Sequence, residues 1–208
     1  MNSVCVFCGS HIGEKPEYLD AAARLGKLLA ENGIHLIYGG SDVGLMGMTA
    51  LSCLENGGQV TGVIPRKLAE MDISHPQLTE LKIVESMHER KAMMADLAEG
   101  FISLPGGIGT LEETFEMLTW IQLGIHNKPI GLLNVEHFFD PLVQFLKQVV
   151  DQGFMQSGHL NLLQVDENEE KLLTGLQNYK PVYLSKWADK NSNRIRTSSD
   201  QLPGKDLR

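Results

Sequence analysis

Residues 101–116, FISLPGGIGTLEETFE, limit the possible fold more than any other stretch of this chain. Residues 101–104 form a short apolar run bounded by turn formers, the pattern of a buried strand. Pro105 ends it, because proline has no N–H to give to a sheet ladder. Gly106, Gly107 and Gly109 follow, and glycine both tolerates positive φ and lets a backbone approach a ligand closely. Thr110 is expected to be the N-cap of the next helix, with Glu113 three residues later completing a capping box. A strand, a glycine turn and a helix start bring free N–H groups and the positive end of a helix dipole to one point, which suits an anion. The same residues also suit an ordinary tight strand-to-helix turn whose glutamates complement the dipole. The rest of the chain has to decide between these readings.

That rest repeats the pattern. Strands are expected at residues 4–7, 34–38, 60–64, 81–84, 101–104, 129–133 and 162–165. Between them, apolar residues recur at helical spacing over 17–32, from the end of the 39–47 stretch to 54, and over 87–98, 110–123, 138–150 and 169–176. Residues 66–78 are less regular and read as a loop with a short helix. Strands alternating with helices at this spacing predict an α/β protein, a Rossmann-like doubly wound parallel sheet with helices on both faces. Residues 1–184 read as a single domain. Residues 185–208, rich in Lys, Asn, Ser, Arg and Asp, read as a polar tail without regular structure.

Ligands of doubly wound sheets bind beyond the carboxyl ends of the strands. Glycine-rich stretches fall at such ends in residues 8–10, 39–47 and 106–109. One such loop is common, whereas three point to a nucleotide-sized ligand lying across the sheet edge.

Composition narrows the partner. A formal net charge of -8 over 208 residues argues against nucleic acid as a ligand, while leaving room for a local phosphate site. No apolar run approaches the ~20 residues of a membrane-spanning helix, and residues 1–4 lack the basic region of a signal peptide. With an odd count of three cysteines, the expectation is a cytoplasmic protein with reduced thiols and no membrane partner. Cys5 and Cys8 have C-x-x-C spacing. They fall inside and at the end of the first strand, however, and a redox pair normally opens a helix. No second pair supplies a zinc site, and no His, Cys and carboxylate cluster has metal-ligand spacing. No metal is expected.

Common nucleotide chemistries can be set aside in turn. The G-x-x-x-x-G-K-[ST] loop of the NTPases is absent. The run at Gly107 and Gly109 lacks the third glycine of a dinucleotide fingerprint, and no suitably spaced acid follows a second strand. Arg90 and Lys91 are adjacent cations at a helix start, unfavourable to the dipole unless an anion is bound, and arginine matches the geometry of a phosphate. The alternative for this pair is an exposed basic surface. Glu113 and Glu116 share a helix face, so one of them could enter a glycine-floored pocket and stabilise a cationic transition state. Glu112 reads as mostly local, a partner of the helix dipole.

These residues resemble a known family. PGGIGTLEE at 105–113 matches the PGGxGTxxE signature of the LOG ("lonely guy") family, and SMHERKAMM at 86–94 resembles its second motif. The likeness extends to FCGS at 7–10, YGG at 38–40, VGLMG at 43–47 and TWIQLGIH at 119–126, and spans roughly residues 3–180. It implies a Rossmann-like fold and a phosphoribohydrolase that cleaves the N-glycosidic bond of AMP or a cytokinin riboside 5′-monophosphate, without a cofactor, and in relatives of this length a homodimer. Arg90 and Glu113 match the two catalytic positions. Lys91, Gly106, Gly107, Gly109, Thr110 and Thr119 match substrate contacts. Gly9, Ser10, Gly40, Gly44, Met46, Gly47, Met87, Ile108 and Glu112 lie in the matching loops and are expected to line the substrate pocket. Asp72 stands where plant relatives carry a glutamate near the base, and Asp42 replaces a more usual third glycine. The label "lysine decarboxylase" carried by many relatives implies pyridoxal phosphate chemistry, which needs a Schiff-base lysine and a partner for the pyridinium nitrogen; Lys91 has no evident companion for that task. A nucleotide sensor without hydrolytic activity is the remaining alternative.

Overall fold

The structure, a computed structural model, describes residues 1–70 and 77–181. Asp72 and the expected tail at 185–208 lie outside the described residues. Seven parallel strands form one sheet: β1 Ser3–Phe7, β2 His35–Tyr38, β3 Val60–Pro65, β4 Glu80–Val84, β5 Phe101–Ser103, β6 Ile130–Leu133 and β7 Leu163–Asp166. Their order is β4-β3-β2-β1-β5-β6-β7. The chain therefore winds outward from β1 in one direction as far as β4, then returns to the other side of β1 as β5. The order reverses between β1 and β5, which are joined in register from Cys5 opposite Phe101 to Phe7 opposite Ser103. A crevice at the carboxyl ends of these two strands is where such a sheet takes its ligand.

The strands alternate with α1 Pro16–Glu31, α2 Gly44–Glu55, α3 Arg66–Ala69, α4 Met87–Leu97, α5 Ile108–Gln122, α6 Asp140–Asp151, α7 Ser157–Leu160 and α8 Glu169–Gln177. One face of the sheet packs Val4, Val6, Leu36 and Ile102 against Leu25, Leu29 and Ala50 of α1 and α2 and Leu172 and Leu176 of α8. On the other face, Cys5, Phe7, Ile37 and Phe101 meet Met94 of α4, Met117, Leu118 and Ile121 of α5 and Leu146 of α6. Burying each Leu, Ile or Phe of these layers contributes roughly 1.5–3 kcal/mol, which is why the central strands are apolar on both faces rather than alternating. The α/β expectation and the helices on both faces are borne out.

Three boundaries depart from the sequence reading. Helix α2 starts at Gly44, inside the stretch expected to be loop, because the Leu45 N–H donates to Gly9 O (3.0 Å) and docks the first turn onto the β1 loop. Helix α6 starts at Asp140 rather than 138, since residues 135–137 form a 3₁₀ turn. There the Asn134 side chain accepts from Phe139 N–H and donates to Asp140 Oδ1, both at 2.7 Å, and so fixes the later start. Glu136 and His137 take φ of 52° and 57° in that turn. Helix α5 starts at Ile108, with Gly107 as its N-cap. Thr110 is therefore inside the first turn and caps nothing.

Candidate active site

Three loops meet at the crevice because a single residue ties them. The Gly9 N–H donates to Pro105 O and the Gly9 carbonyl accepts from Leu45 N–H, both at 3.0 Å. The β1, β2 and β5 loops, which carry the glycine-rich stretches, are thereby stitched side by side. Gly44 has φ +61°, and a Cβ there would lie 2.3 Å from the Ser10 carbonyl carbon, so only glycine fits between the two loops. At Gly106 a Cβ would lie 2.2 Å from Thr110 Oγ1 and 2.8 Å from Gly9 N. The expected positive φ of the 106–109 turn is not what these glycines provide: none of the three is in the left-handed region. Gly106 gives close packing. Gly107 and Gly109 have no atom within 4 Å of an ideal Cβ and simply leave the turn bare.

No side chain caps α5. Its first N–H groups have no partner within the helix, and they open onto a cavity of about 610 Å³ with the positive end of the dipole behind them. Ser103 and Thr114 fix that helix end from below through a hydroxyl pair at 2.7 Å, and Thr114 Oγ1 donates to Thr110 O at 2.6 Å.

The cavity wall also carries Arg90 and Glu113. Arg90 comes from the first turn of α4, whose N-cap Ser86 accepts from Glu89 N–H at 3.1 Å. Its Nη1 donates to Glu113 Oε1 and its Nε to Val63 O, each at 3.1 Å. A Cβ on Gly39 would stand 2.0 Å from Arg90 Nη2, so the bare Gly39 backbone makes room for the guanidinium. Both residues are less than a tenth exposed. Burial pushes the Glu113 carboxyl above its ordinary value against the pull of Arg90, while Glu112 and Glu116 push it further up and Lys91 draws it down.

Of the residues singled out from the sequence, Gly9, Ser10, Met46, Met87, Arg90, Gly106, Gly107, Ile108, Gly109, Thr110, Glu112 and Glu113 line this one cavity. Gly40, Gly44 and Gly47 stand behind the wall: Gly40 packs against Ile64 and Gly47 against the Asp42 backbone. Thr119 is exposed on α5, away from the cavity. Lys91 is also absent from the wall. Its ammonium donates to Glu112 Oε1 and lies 3.0 Å from Glu116 Oε2. The anions that offset Arg90 and Lys91 at their helix start are thus protein carboxylates of α5, and the alternative of an exposed basic surface does not hold, since both cations are buried. Glu112, read as a dipole partner, is instead the exposed end of that clamp.

Cys8, Leu45 and Pro105, from the stretches already expected at the ligand edge, also line the cavity, together with His11, Ile12, Gly13, Tyr18 and Phe138, which escaped the sequence reading. The Tyr18 and Phe138 rings meet edge to face with centroids 5.9 Å apart. Both follow strands that flank or neighbour the switch point, so the doubly wound topology was the signal that could have found them. Cys5, Cys8 and Cys53 are buried free thiols. Burial raises all three, which keeps them protonated and inert. Among the described residues no His, Cys, Asp and Glu group could hold a metal ion, and no helix is long and apolar enough to cross a membrane.

Comparison with known proteins gives this geometry a context. Residues 46–176 match the family model described as "Possible lysine decarboxylase". The chain is 46% identical over 180 residues to the cytokinin riboside 5'-monophosphate phosphoribohydrolase LOG of Oryza sativa subsp. japonica, covering 86% of this chain and 74% of that protein. It is also 46% identical over 180 residues to the enzyme of the same name, LOG7, of Arabidopsis thaliana, covering 86% and 83%. Among solved structures, the molybdenum cofactor binding protein of Rippkaea orientalis is similar with a TM-score of 0.65 at 21% identity, over 84% of this chain and 94% of that one. The molybdenum cofactor carrier protein of Chlamydomonas reinhardtii gives 0.64 at 19% identity, over 84% and 95%. At such identities these two likenesses speak for the fold alone.

Proposed function

The chain belongs to the LOG family, and from that premise we propose that it is a phosphoribohydrolase acting on a purine riboside 5′-monophosphate, AMP or its cytokinin-type derivatives. Water replaces the base at the anomeric carbon, giving free base and ribose 5-phosphate. The observation that carries this reading is the buried Arg90–Glu113 pair lining the same cavity as the uncapped, glycine-floored start of α5. Breaking a ribosyl C–N bond builds oxocarbenium character on the sugar. The bare turn at Gly107 and Gly109 and the α5 N-terminus hold the 5′-phosphate. Glu113 faces the sugar, stabilises its positive charge and orients or deprotonates the attacking water. Arg90 positions the nucleotide and offsets negative charge on the departing base.

A pyridoxal phosphate site does not fit. No lysine lines the cavity among the described residues. Burial works to lower the Lys91 ammonium, but its bonds to Glu112 and Glu116 raise it on balance, and a Schiff base needs the free amine. As a homodimer, the protein would cover the apolar side of α5, where Phe115 and Trp120 are half-buried and the following Leu123 and Ile125 are exposed. We place it in the cytoplasm on its reduced thiols.

Incubation with AMP and chromatography of the products tests the reading. Free adenine and ribose 5-phosphate are expected from the native protein and from neither Glu113→Gln nor Arg90→Ala. Saturable AMP binding without adenine would make the protein a nucleotide sensor, and full activity in either variant would sink the assignment of roles.

A further inference from the structure

Lys91 follows Arg90 directly in α4, yet the two cations do different things. Arg90 reaches the cavity wall. The Lys91 side chain is 8% exposed, bonded to Glu112 Oε1 and 3.0 Å from Glu116 Oε2. Glu112 and Glu116 stand one turn apart on α5 and share a face, and the lysine enters from α4 between their carboxylates. Glu113 lies between them in sequence and turns to Arg90 instead. Two neighbouring residues of one helix therefore hold three carboxylates of the next, at the point where α5 opens onto the cavity.

We propose that Lys91 is a positioning residue: clamped between Glu112 and Glu116, it holds the start of α5 in register against α4, so that Glu113 and the glycine turn meet the nucleotide correctly, and it does not itself touch the phosphate. This rests on the reading of the cavity as a nucleotide site. An ammonium already bridging two carboxylates would have to break that clamp to reach a ligand, leaving Glu116, with 24% of its side chain exposed, without its cation. The charged and titratable groups facing Glu113 are Arg90 and Lys91 from α4, Glu112 and Glu116 from α5, and Cys5 and Cys8 from β1. Within that set Lys91 opposes the upward push of the two glutamates. Its removal leaves three carboxylates facing Arg90 alone, and Glu113 then keeps its proton to higher pH.

The test measures kcat and KM for AMP across pH, and AMP affinity by calorimetry in the non-hydrolysing Glu113→Gln background. Lys91→Met should lower kcat by about ten- to a hundredfold, the effect of a misplacement of about an ångström at the reacting atoms, with KM and Kd changed by less than about twofold. The acid limb of kcat/KM should move to higher pH. Adding Glu116→Gln should move it back, and Lys91→Arg should keep it near its original place. A rise in KM and Kd of about tenfold or more with the limb unmoved would identify a phosphate contact and overturn the proposal. If circular dichroism shows Lys91→Met unfolded, Glu116→Gln alone decides: an acid limb at lower pH supports the clamp and an unmoved limb overturns it. If the native protein releases no base from AMP, the functional reading fails separately. Calorimetry of AMP with native and Lys91→Met proteins then decides on the same criterion, little change supporting the clamp and a large loss of affinity overturning it.

Discussion

Arg90 Nη1 lies 3.1 Å from Glu113 Oε1, with 11% of either side chain exposed. Removing one member of a buried pair leaves the other without its counter-charge, at a cost of about 3–5 kcal/mol. The guanidinium cannot give up its proton, so Glu113→Ala should destabilise the protein by about that amount at neutral pH. Glu113→Gln also removes the counter-charge but keeps an oxygen for Arg90 to bond, and should lose about 1 kcal/mol less. Urea denaturation of the two variants measures the gap, and equal losses would mean that the pair is not held in the folded protein as seen.

The same glutamate sets a pH signature. Burial pushes its carboxyl above the ordinary 4.5, with Arg90 opposing and Glu112 adding to the rise. Glu113 works as a carboxylate, so activity is lost as pH falls through its folded pKa. The acid limb of kcat/KM is therefore expected above 4.5. Linkage gives the stability counterpart. A group whose pKa is raised on folding favours the fold below its unfolded value, and that advantage is lost as pH rises through the folded pKa. Glu113→Gln does not titrate, so its melting temperature should gain on that of the native protein as pH rises above 4.5. A limb at or below 4.5, or a gap that narrows in the opposite direction, would contradict the burial of this carboxyl.

Much of this was legible in the chain because it is written in local patterns. Strand and helix periodicity located β1 to β7 to within a residue or two, and glycine clusters marked the loops that meet at Gly9. What escaped depends on contacts between distant segments. The Thr110 capping box looked sound because Thr and Glu stood at the right spacing, but Glu113 is drawn to Arg90, 23 positions away in sequence. The bare Gly107 stands at the N-cap instead, and the helix starts at Ile108. Lys91 read as a free cation because its partners belong to α5. Phe138 read as the opening of a helix, since only the Asn134 side chain, bonded to Phe139 and Asp140, delays α6 and leaves that ring for the cavity.

The glycine turn separates folding from binding. A methyl at Gly106 would press on Thr110 Oγ1 at 2.2 Å and Gly9 N at 2.8 Å, so Gly106→Ala should destabilise by about 1–3 kcal/mol. Gly109 has open space at its Cβ position and lies in the first turn of α5. Alanine is the better helix former by about 0.5–1 kcal/mol, so Gly109→Ala should stabilise the fold. Its methyl stands on the cavity wall and should weaken AMP binding. Melting temperature and AMP affinity of both variants check this, and native affinity in a stabilised Gly109→Ala protein would move the phosphate away from this turn.

Outside the cavity lining, His126 gives the fold its own acid sensitivity. Its ring sits against Phe101 and Trp120, with centroids 5.4 and 6.2 Å away. Nδ1 accepts from Lys128 N–H at 3.2 Å, which leaves the proton on Nε2, buried with no hydrogen-bond partner. Burial, helped by the charge of Lys128, lowers its pKa from 6.5 to about 4. A histidine depressed in this way favours the fold above its unfolded pKa, and that contribution is lost as pH falls. Native protein should therefore lose stability between pH 6.5 and about 4. His126→Phe keeps an aromatic ring at the same place but cannot charge, so its melting temperature should fall less over that window, even if it starts lower for want of the acceptor to Lys128. Parallel curves for the two proteins would show that the imidazole is not held neutral by its surroundings.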